Sequence, residues 1–296
     1  MKIINILGGL GNQMFQYALA IALREQYKSE EVFIDISNFK GYSLHNNYEL
    51  NKLFPISIPT ASISQIIKTN IPYFNYNLWR VGSRLFRFLP SYITEKKYRK
   101  KFINNQSSKI PSNAYFDGYW QSENYFKKHR DTILKEFTFS KIDEDENLKL
   151  LPSVKNKNSV SIHIRRGDYV NHPLFKDICT IKYYQNAIDK IKSLTKVDNF
   201  IIFSNDIEWC KENFKDEFGN IEVIFVNWNK GDKSFRDMQL MSLCKHNIIA
   251  NSSFSWWGAW LNQNPNKIVI APFKWNNREC DPQNYIASDW CKIEDI

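Results

Sequence analysis

The chain of 296 residues is 43% hydrophobic and 24% charged, a composition that supports packed cores in roughly two domains and excludes an intrinsically disordered protein. We expect no transmembrane segment, since no apolar run approaches the roughly 20 residues that cross a bilayer, and no signal peptide, since the first apolar run stops at Gly8. The five cysteines are odd in number, widely spaced and without a Cys-x-x-Cys pair, so we predict reduced thiols in a cytoplasmic protein.

The first half of the chain begins as a β-α-β unit. Its patterns predict a strand at residues 2–7, a helix at 12–27 and a second strand at 32–36. The glycine-rich turn at 8–13 allows close approach of the backbone and aims helix N–H groups at a neighbouring anion. It serves either as a tight structural turn or as a ligand contact, and the adjacent amides of Asn12 and Gln13 favour ligand contact.

Seven of the nine net positive charges lie in residues 79–101, which we call the basic segment. Its eight basic residues accompany one acidic residue, Glu95, and are Arg80, Arg84, Arg87, Lys96, Lys97, Arg99, Lys100 and Lys101. Apolar and aromatic residues are interleaved with them, which suits either a solvated basic face with its rings packed inward or peripheral contact with an anionic membrane. Nucleic acid is not an expected partner, because no helix-turn-helix, RNP or zinc-finger pattern accompanies the charge.

An acidic, proline-containing segment at residues 140–158 marks the predicted domain boundary. After it, apolar strands are predicted at 160–164, 200–203, 223–226, 247–250 and 268–270. Helices are predicted between them near 182–194, 208–214, 234–243 and 254–261. Strands that alternate with helices predict a parallel sheet and the α/β class.

The densest group of charged side chains follows the strand at 160–164. Apolar residues alternate with His163 and Arg165, so these two share one face of an extended strand. Parallel α/β sheets bind ligands beyond the carboxyl ends of their strands, and the planar arginine fork suits phosphate oxygens. This strand end therefore predicts an anion site with Arg165 at the crevice, and with Arg166 as the supporting partner of Asp168.

Two later strands end in polar residues at the same predicted edge. After the strand at 200–203, Asp206 can cap the next helix or accept two hydrogen bonds from a guanine edge. The serines of residues 251–260 can cap the following helix and donate to phosphate oxygens at its positive end. The tryptophans of that stretch are expected in the core rather than around a cofactor.

Four motifs together carry a resemblance to a known family. They are GGLGNQMFQYA at 8–18, FDGYWQSENYF at 116–126, HIRRGDY at 163–169 and NSSFSWWGAW at 251–260. In this order they resemble the motifs of the bacterial α-1,2-fucosyltransferases, glycosyltransferase family 11. The resemblance runs nearly end to end and leaves out only residues 65–110.

The resemblance implies an α/β, GT-B-like fold in which two Rossmann-like domains with parallel sheets face a cleft. Residues 1–150 would form the acceptor-side domain, with a basic helical insertion at about 65–110, and residues 151–296 the GDP-sugar-binding domain. GDP-fucose would be the donor substrate, with no separate cofactor. A galactose-terminated oligosaccharide or a lipid-linked glycan would be the acceptor.

The resemblance also assigns roles by motif. Arg165 would hold the diphosphate with support from His163 and Arg166, Asp168 would fix an arginine, and Asp206 would read the guanine. Arg165, His163 and Asp168 are thus the predicted catalytic residues. The other predicted donor-binding residues are Gly9, Gly11, Asn12, Gln13, Ser204, Ser252, Ser253 and Ser255.

Inverting transfer from GDP-β-L-fucose is a single displacement that leaves negative charge on the departing pyrophosphate. We predict that an arginine, rather than a metal ion, stabilises that charge. The one Asp-x-Asp match, at 143–145, lies in the acidic segment, and no His, Cys or carboxylate grouping has ligand spacing. Asp168, Asp35, Asp117 and His163 are all candidates for the general base.

Two other functions remain open on these residues. One is transfer from another GDP-sugar by a related fold, and the other is non-catalytic binding of a carbohydrate or of nucleic acid through the basic segment. The predicted location is the cytoplasm; whether the basic segment also makes peripheral contact with the inner membrane is left open by the sequence.

Overall fold

The computed structural model describes residues 1–69, 71, 75–100, 109–214, 217–278 and 284–294. The chain divides into two units, Met1–Ser140 and Lys141–Ile296. Each unit has a parallel sheet and a buried core of its own, as the predicted alternation of strands and helices requires.

The first unit is built on a parallel sheet with the strand order β2-β1-β4-β3. Its strands are β1 (Lys2–Asn5), β2 (Val32–Asp35), β3 (Tyr92–Thr94) and β4 (Ala114–Asp117). Its helices are α1 (Leu10–Gln26), α2 (Leu50–Leu53), α3 (Ile63–Ile67), α4 (Tyr76–Leu85), α5 (Glu95–Tyr98) and α6 (Arg130–Glu136). Every residue of β1 is buried, because this strand lies between β2 and β4 and is covered on both faces.

The second unit has a longer parallel sheet with the order β10-β9-β8-β5-β6-β7. Its strands are β5 (Ser159–Ile164), β6 (Asn199–Ser204), β7 (Glu222–Val226), β8 (His246–Ile248), β9 (Val269–Pro272) and β10 (Cys291–Ile293). Its helices are α7 (Asp145–Lys155), α8 (Ile181–Leu194), α9 (Ile207–Asn213), α10 (Phe235–Leu243) and α11 (Ser253–Leu261).

Strand β5 has the alternation that the sequence predicts. Ile162 and Ile164 join the buried apolar cluster that α8 covers. On the other face, Ser161 accepts a hydrogen bond from the Asn247 side chain at 2.7 Å, and the His163 ring lies 5.8 Å from the ring of Phe254. The strand therefore separates a dry face from a face that carries polar side chains.

Residues 140–158, predicted as a boundary segment, contain helix α7, which packs on α10 and β5 of the second unit. Its periodicity is weak because Leu150 and Val154 are its two buried apolar residues, and the third buried position is Asn147. That amide accepts a hydrogen bond from the Trp228 indole at 2.7 Å, so a polar residue completes the packed face.

Residues 65–110, predicted as a helical insertion, are helical only in part. Strand β3 pairs in parallel with β4, and its Tyr92 and Ile93 are fully buried, so this piece belongs to the sheet. A strand of three residues gives too short an apolar pattern to be recognised. Residues 70, 72–74 and 101–108 of this stretch, Lys101 among them, lie outside the described residues.

The cysteines of the described chain carry thiols and form no disulfides with one another; they are Cys179, Cys210, Cys244 and Cys291. Burial raises the pKa of Cys210 to about 11 and that of Cys244 to about 12, which keeps both thiols protonated at neutral pH. Cys280 lies outside the described residues. Within those residues, no helix combines the length and the apolarity needed to span a bilayer.

Candidate functional site

The strand order of the second unit has a switch point between β5 and β8. From β5 the chain continues to β6 and β7 on one side of the sheet, then returns to β8 and β9 on the other. Ligands of open α/β sheets bind beyond the carboxyl ends of the strands at such a point. His163 lies near the carboxyl end of β5, Arg165 follows that strand, and Ser252 follows β8, so the fold brings these predicted residues to this position. Strands β5 and β8 pair in parallel, so their carboxyl ends are adjacent.

Arg165 is held in place by two residues that follow it in the chain. Its Nη2 atom lies 2.8 Å from Oδ1 of Asp168, and its guanidinium lies over the Tyr169 ring at 5.4 Å. The side chain keeps 28% of its surface exposed, while its Nε atom is buried without a hydrogen-bond partner among the described residues. A cation oriented in this way keeps a donor for a ligand.

Arg166 does not support Asp168, and this prediction was wrong. Its Nε donates to Oδ2 of Asp206 at 3.1 Å, and its guanidinium lies 3.6 Å from the centre of the Trp209 ring. Successive residues of an extended chain point to opposite sides, so Arg166 turns towards β6 and α9. Asp168 therefore orients Arg165 itself.

The turn after these arginines requires glycine. Gly167 has φ +38°, and a side chain there would overlap the amide of Asn205. The Oδ1 atom of Asn205 accepts a hydrogen bond from the backbone N–H of Arg166 at 2.9 Å. Asn205 thus fixes the direction in which the chain leaves β5, a role that the sequence analysis missed.

Asp206 caps helix α9, one of the two roles predicted for it. Its Oδ1 accepts from the Trp209 N–H at 3.3 Å, while Oδ2 pairs with Arg166. Its own N–H donates to the hydroxyl of Ser204 at 3.0 Å. The side chain is 41% exposed, and a carboxylate has about four acceptor positions, so it retains capacity for a ligand.

The three predicted serines after β8 lie in different environments. Ser252 caps α11 by accepting from the Phe254 N–H at 3.4 Å, and Ser253 is half-buried at the first position of that helix. Ser255 is fully buried and donates to the carbonyl groups of Ala250 and Ser252. Its hydroxyl stabilises the turn into α11 and faces the core rather than the strand edge, which differs from the prediction. The tryptophans of α11 lie in the core as predicted.

The surroundings of His163 favour a neutral imidazole at ordinary pH. The residue is 5% exposed, and burial first, then the charge of Arg165, lowers its pKa to about 3. Its Nδ1 is buried without a hydrogen-bond partner in the described chain. His163 and Arg165 therefore each hold a buried, unpaired nitrogen beside the switch point, which points to a polar ligand there.

Replacing His163 by phenylalanine should reduce the loss of stability in acid. The folded pKa of about 3 lies below the ordinary 6.5, so the unfolded chain takes up a proton on this imidazole at a higher pH than the folded chain does. The folding free energy linked to the neutral imidazole is therefore fully present above pH 6.5 and is lost as the pH falls towards 3. Between pH 7 and pH 5 this one group should account for about 2 kcal/mol of unfolding free energy. Urea unfolding of both proteins at pH 7 and pH 5 measures this difference in unfolding free energy, and His172→Asn serves as a control at an exposed histidine. If H163F keeps the pH dependence of the unchanged chain, His163 does not have a lowered pKa.

The glycine-rich turn of the first unit leads directly into α1. Gly8 has φ +96°, and α1 begins at Leu10, two residues earlier than predicted, without a side-chain cap at Gly9. Gln13 donates to the carbonyl groups of Gly8 and Asn47, both at 2.8 Å, and is fully buried. Gln13 therefore holds the turn together from inside.

Two other predicted residues of this turn lie close by. Gly11 is buried in the first turn of α1, while Asn12 is half-buried and accepts a hydrogen bond from the Gln121 side chain at 2.7 Å. Gln121 belongs to the second motif, so this contact joins two of the stretches that carry the resemblance.

Polar residues end three adjacent strands of the first sheet, namely Asn5, Asp35 and Asp117. Asp117 accepts from the Asn5 amide at 2.8 Å, from the Trp79 indole at 3.0 Å and from the Tyr92 hydroxyl. Burial raises the pKa of both aspartates above the ordinary range. Carboxylates with raised pKa values are stronger bases, which suits removal of a proton from a hydroxyl group.

Beside Asp35, two buried polar atoms have no hydrogen-bond partner among the described residues, the Ser37 hydroxyl and Oδ1 of Asn38. Aromatic rings lie near Asp117: Tyr76 stacks on Trp79 at 5.6 Å, and the exposed Tyr119 lies within electrostatic reach of the carboxylate. Aromatic surfaces with a few convergent polar groups are typical of small-ligand sites. Across the described chain, no group of three or more His, Cys, Asp or Glu side chains is placed to hold a metal ion.

Comparison with known proteins agrees with this arrangement. Glycosyl transferase family 11 matches residues 1–294. An alpha-1,2-colitosyltransferase of Escherichia coli is 35% identical over 300 residues, covering 99% of this chain and 98% of that protein. The galactoside alpha-(1,2)-fucosyltransferase 2 of Mus musculus is 28% identical over 266 residues, covering 87% of this chain and 67% of that protein.

The fold also has a counterpart among solved structures. POFUT1 in complex with GDP-fucose superposes with a TM-score of 0.50 at 14% identity, covering 91% of this chain and 97% of that one. This likeness, together with the two parallel-sheet units, confirms the predicted α/β, GT-B-like fold class. From the match over nearly its whole length, the chain belongs to glycosyltransferase family 11.

Proposed function

We propose that this chain transfers L-fucose from GDP-β-L-fucose to the 2-hydroxyl group of a galactoside, with inversion and without a metal ion. Two relatives support the linkage, since a colitosyltransferase and a galactoside fucosyltransferase both carry α-1,2 in their names. The observation that carries the proposal is Arg165, held by Asp168 at the switch point with a buried nitrogen left for a ligand.

The arginine suits the step in which the donor breaks. As the bond between the anomeric carbon and the phosphate oxygen lengthens, negative charge collects on the pyrophosphate of GDP. A guanidinium that is already oriented stabilises this charge without reorganisation, and its planar fork matches two phosphate oxygens. Asp168 and Tyr169 fix the guanidinium before the donor arrives.

The neighbouring residues suit the rest of the nucleotide. Asp206 presents a carboxylate one strand away from Arg165, where guanine N–H groups would find an acceptor. Ser252 and Ser253 lie at the N-terminus of α11, whose amide groups favour phosphate. His163, neutral at pH 7, adds an imidazole that carries no competing charge.

The acceptor side of the proposal rests on the first unit. Asp35 and Asp117 have raised pKa values at one sheet edge, beside the Tyr76 and Trp79 rings on which a galactose ring can pack. Their carboxylates remain candidates for the general base alongside Asp168 and His163. The acceptor would be a galactose-terminated oligosaccharide or a lipid-linked glycan.

Colitose is the second candidate for the transferred sugar. It is the 3-deoxy counterpart of fucose, and the relative that transfers it matches 99% of this chain. A site that hydrogen-bonds the 3-hydroxyl of fucose would reject colitose strongly, whereas an apolar site would discriminate little between them. The two sugars can therefore be separated by turnover.

The test compares donors at equal concentration. The purified chain is incubated with GDP-fucose, GDP-colitose or GDP-mannose and a panel of galactosides, with UDP-galactose as a control donor. Released nucleotide is measured, and the product linkage is determined by NMR. We expect turnover with GDP-fucose, an α-1,2 product and no loss of rate in EDTA. Preferred turnover of GDP-colitose would assign the second sugar, and GDP binding without turnover of any donor would overturn the proposal.

A further inference from the structure

Four exposed apolar side chains follow one stripe of α4 and the 3-10 turn Phe86–Phe88 after it. They are Leu78, Val81, Leu85 and Phe88. Spacings of three and four residues place them on one side of the helix. Leu85 and Phe88 keep 66% and 78% of their surfaces exposed. Single exposed apolar residues are common, but an aligned group of this kind marks an interaction surface.

This stripe is not the side of the segment that packs on the core. The same segment already packs inward through Trp79, Phe86 and Leu89, which lie against the buried cluster around Ile66 and Tyr92. The predicted inward packing of the aromatic rings is thus correct for Trp79 and Phe86. The segment carries a second apolar side that its own unit does not cover.

Positive charge runs beside the stripe. Arg80 and Arg84 are one helical turn apart, Arg87 follows three residues later, and all three are exposed. Arg80 and Arg84 line one shallow depression together with Val81 and Leu85. The guanidinium of Arg87 lies 5.0 Å from the centre of the Phe88 ring.

No acidic residue interrupts this basic, apolar stretch of the chain. The sequence from Trp79 to Thr94 contains no Asp or Glu, and in the described chain no carboxylate pairs with the three arginines. A second copy of the chain on this face would bring two arginine rows together, so self-association is electrostatically unfavourable. A partner for this face must accept the apolar stripe and neutralise the arginines, and an anionic surface with an apolar interior does both.

We propose that this face, formed by Leu78, Val81, Leu85 and Phe88 with Arg80, Arg84 and Arg87, docks on a bilayer that contains anionic phospholipid. The apolar row enters the boundary between headgroups and acyl chains, while the arginines contact lipid phosphates. The contact is peripheral, because the helix has 10 residues. It does not depend on which sugar the protein transfers.

Vesicle flotation of the full chain tests the proposal. We expect binding to phosphatidylglycerol-containing vesicles, little binding to pure phosphatidylcholine vesicles, and weakening by salt. The variants L85S/F88S and R80Q/R84Q/R87Q should each lower the partition coefficient by at least about tenfold. The turnover of a soluble acceptor should stay unchanged in both variants.

Two matched controls distinguish binding through this face from nonspecific hydrophobic binding and from an effect of net charge. V170S/L194S removes two exposed apolar side chains of the second unit, and K149Q/K182Q/K190Q removes three exposed positive charges there. Both controls should bind anionic vesicles like the unchanged chain. Equal losses in the controls, or no binding of the unchanged chain to anionic vesicles, would overturn the proposal. A dimer in sedimentation that L85S/F88S abolishes would also overturn it and assign the face to a second copy.

Discussion

Replacing Arg165 by alanine should lower kcat for sugar transfer on the order of 10²- to 10³-fold, since one preorganised electrostatic contact to developing charge typically has this effect. The guanidinium is oriented by Asp168 at 2.8 Å and by the Tyr169 ring, and it lies at the switch point of the second sheet. The loss should fall mainly on kcat rather than on KM, because charge on the pyrophosphate grows as the glycosidic bond breaks. Steady-state kinetics with the donor varied would measure both constants.

Three controls support that measurement. Arg165→Lys keeps a positive charge but loses the planar fork, so its kcat should lie between those of the alanine variant and the unchanged enzyme. Arg278→Ala removes an exposed arginine of the same unit and should leave turnover unchanged. A thermal unfolding curve checks that R165A is folded. Normal turnover by folded R165A would remove Arg165 from the mechanism.

Sequence patterns predicted most elements of the second unit because each has a strong local signal. Strand β5 alternates apolar and polar residues, and the helix after it repeats its apolar residues every three or four positions. The same alternation predicted His163 and Arg165 on one face, and the charge of Arg165 contributes to the lowered pKa of His163. Local periodicity determines which way a side chain points, so these features needed no knowledge of the tertiary structure.

Local sequence patterns could not predict which residues pair with the charged side chains. Arg166 meets Asp206 and Trp209, residues 40 and 43 positions later, only because β6 lies beside β5 in the sheet. Strand order is a tertiary property that spacing along the chain does not encode. The sequence did indicate that Asp206 and Trp209 lie close together, because Trp209 follows the Asp206 cap by three residues in the first turn of α9.

Helix α7 was not predicted from the sequence because a buried polar residue interrupts its apolar pattern. Asn147 occupies a position where the apolar pattern would call for a hydrophobic side chain, and Trp228 and Asn229 satisfy its amide. Hydrogen bonds to distant residues replace apolar contact there. Asp35 was recognisable as a strand-end acid and Asp117 as an acid of the second motif, whereas their raised pKa values depend on the burial that the assembled sheet creates.

Replacing Asp206 by asparagine should remove the preference for guanine. If both carboxylate oxygens accept from the guanine edge, the unchanged chain should bind GDP more tightly than inosine diphosphate, which lacks the 2-amino group. A hydrogen bond to a charged group contributes about 1.5–3 kcal/mol, so the preference should be roughly 10- to 150-fold. In D206N it should approach one, because an amide offers a single acceptor oxygen. Calorimetric titration of both nucleotides into each protein would measure the ratio.

The choice of asparagine keeps the other role of this residue intact. Asparagine caps helices as well as aspartate does, so α9 should begin normally, whereas alanine would cost about 1 kcal/mol of stability. Arg166→Gln removes the ion pair with Asp206 but leaves the carboxylate in place. This control should weaken the binding of both nucleotides in parallel and keep the ratio of their affinities. A D206N protein with the unchanged ratio would show that Asp206 acts as a cap and as the partner of Arg166, and that the guanine contacts another residue.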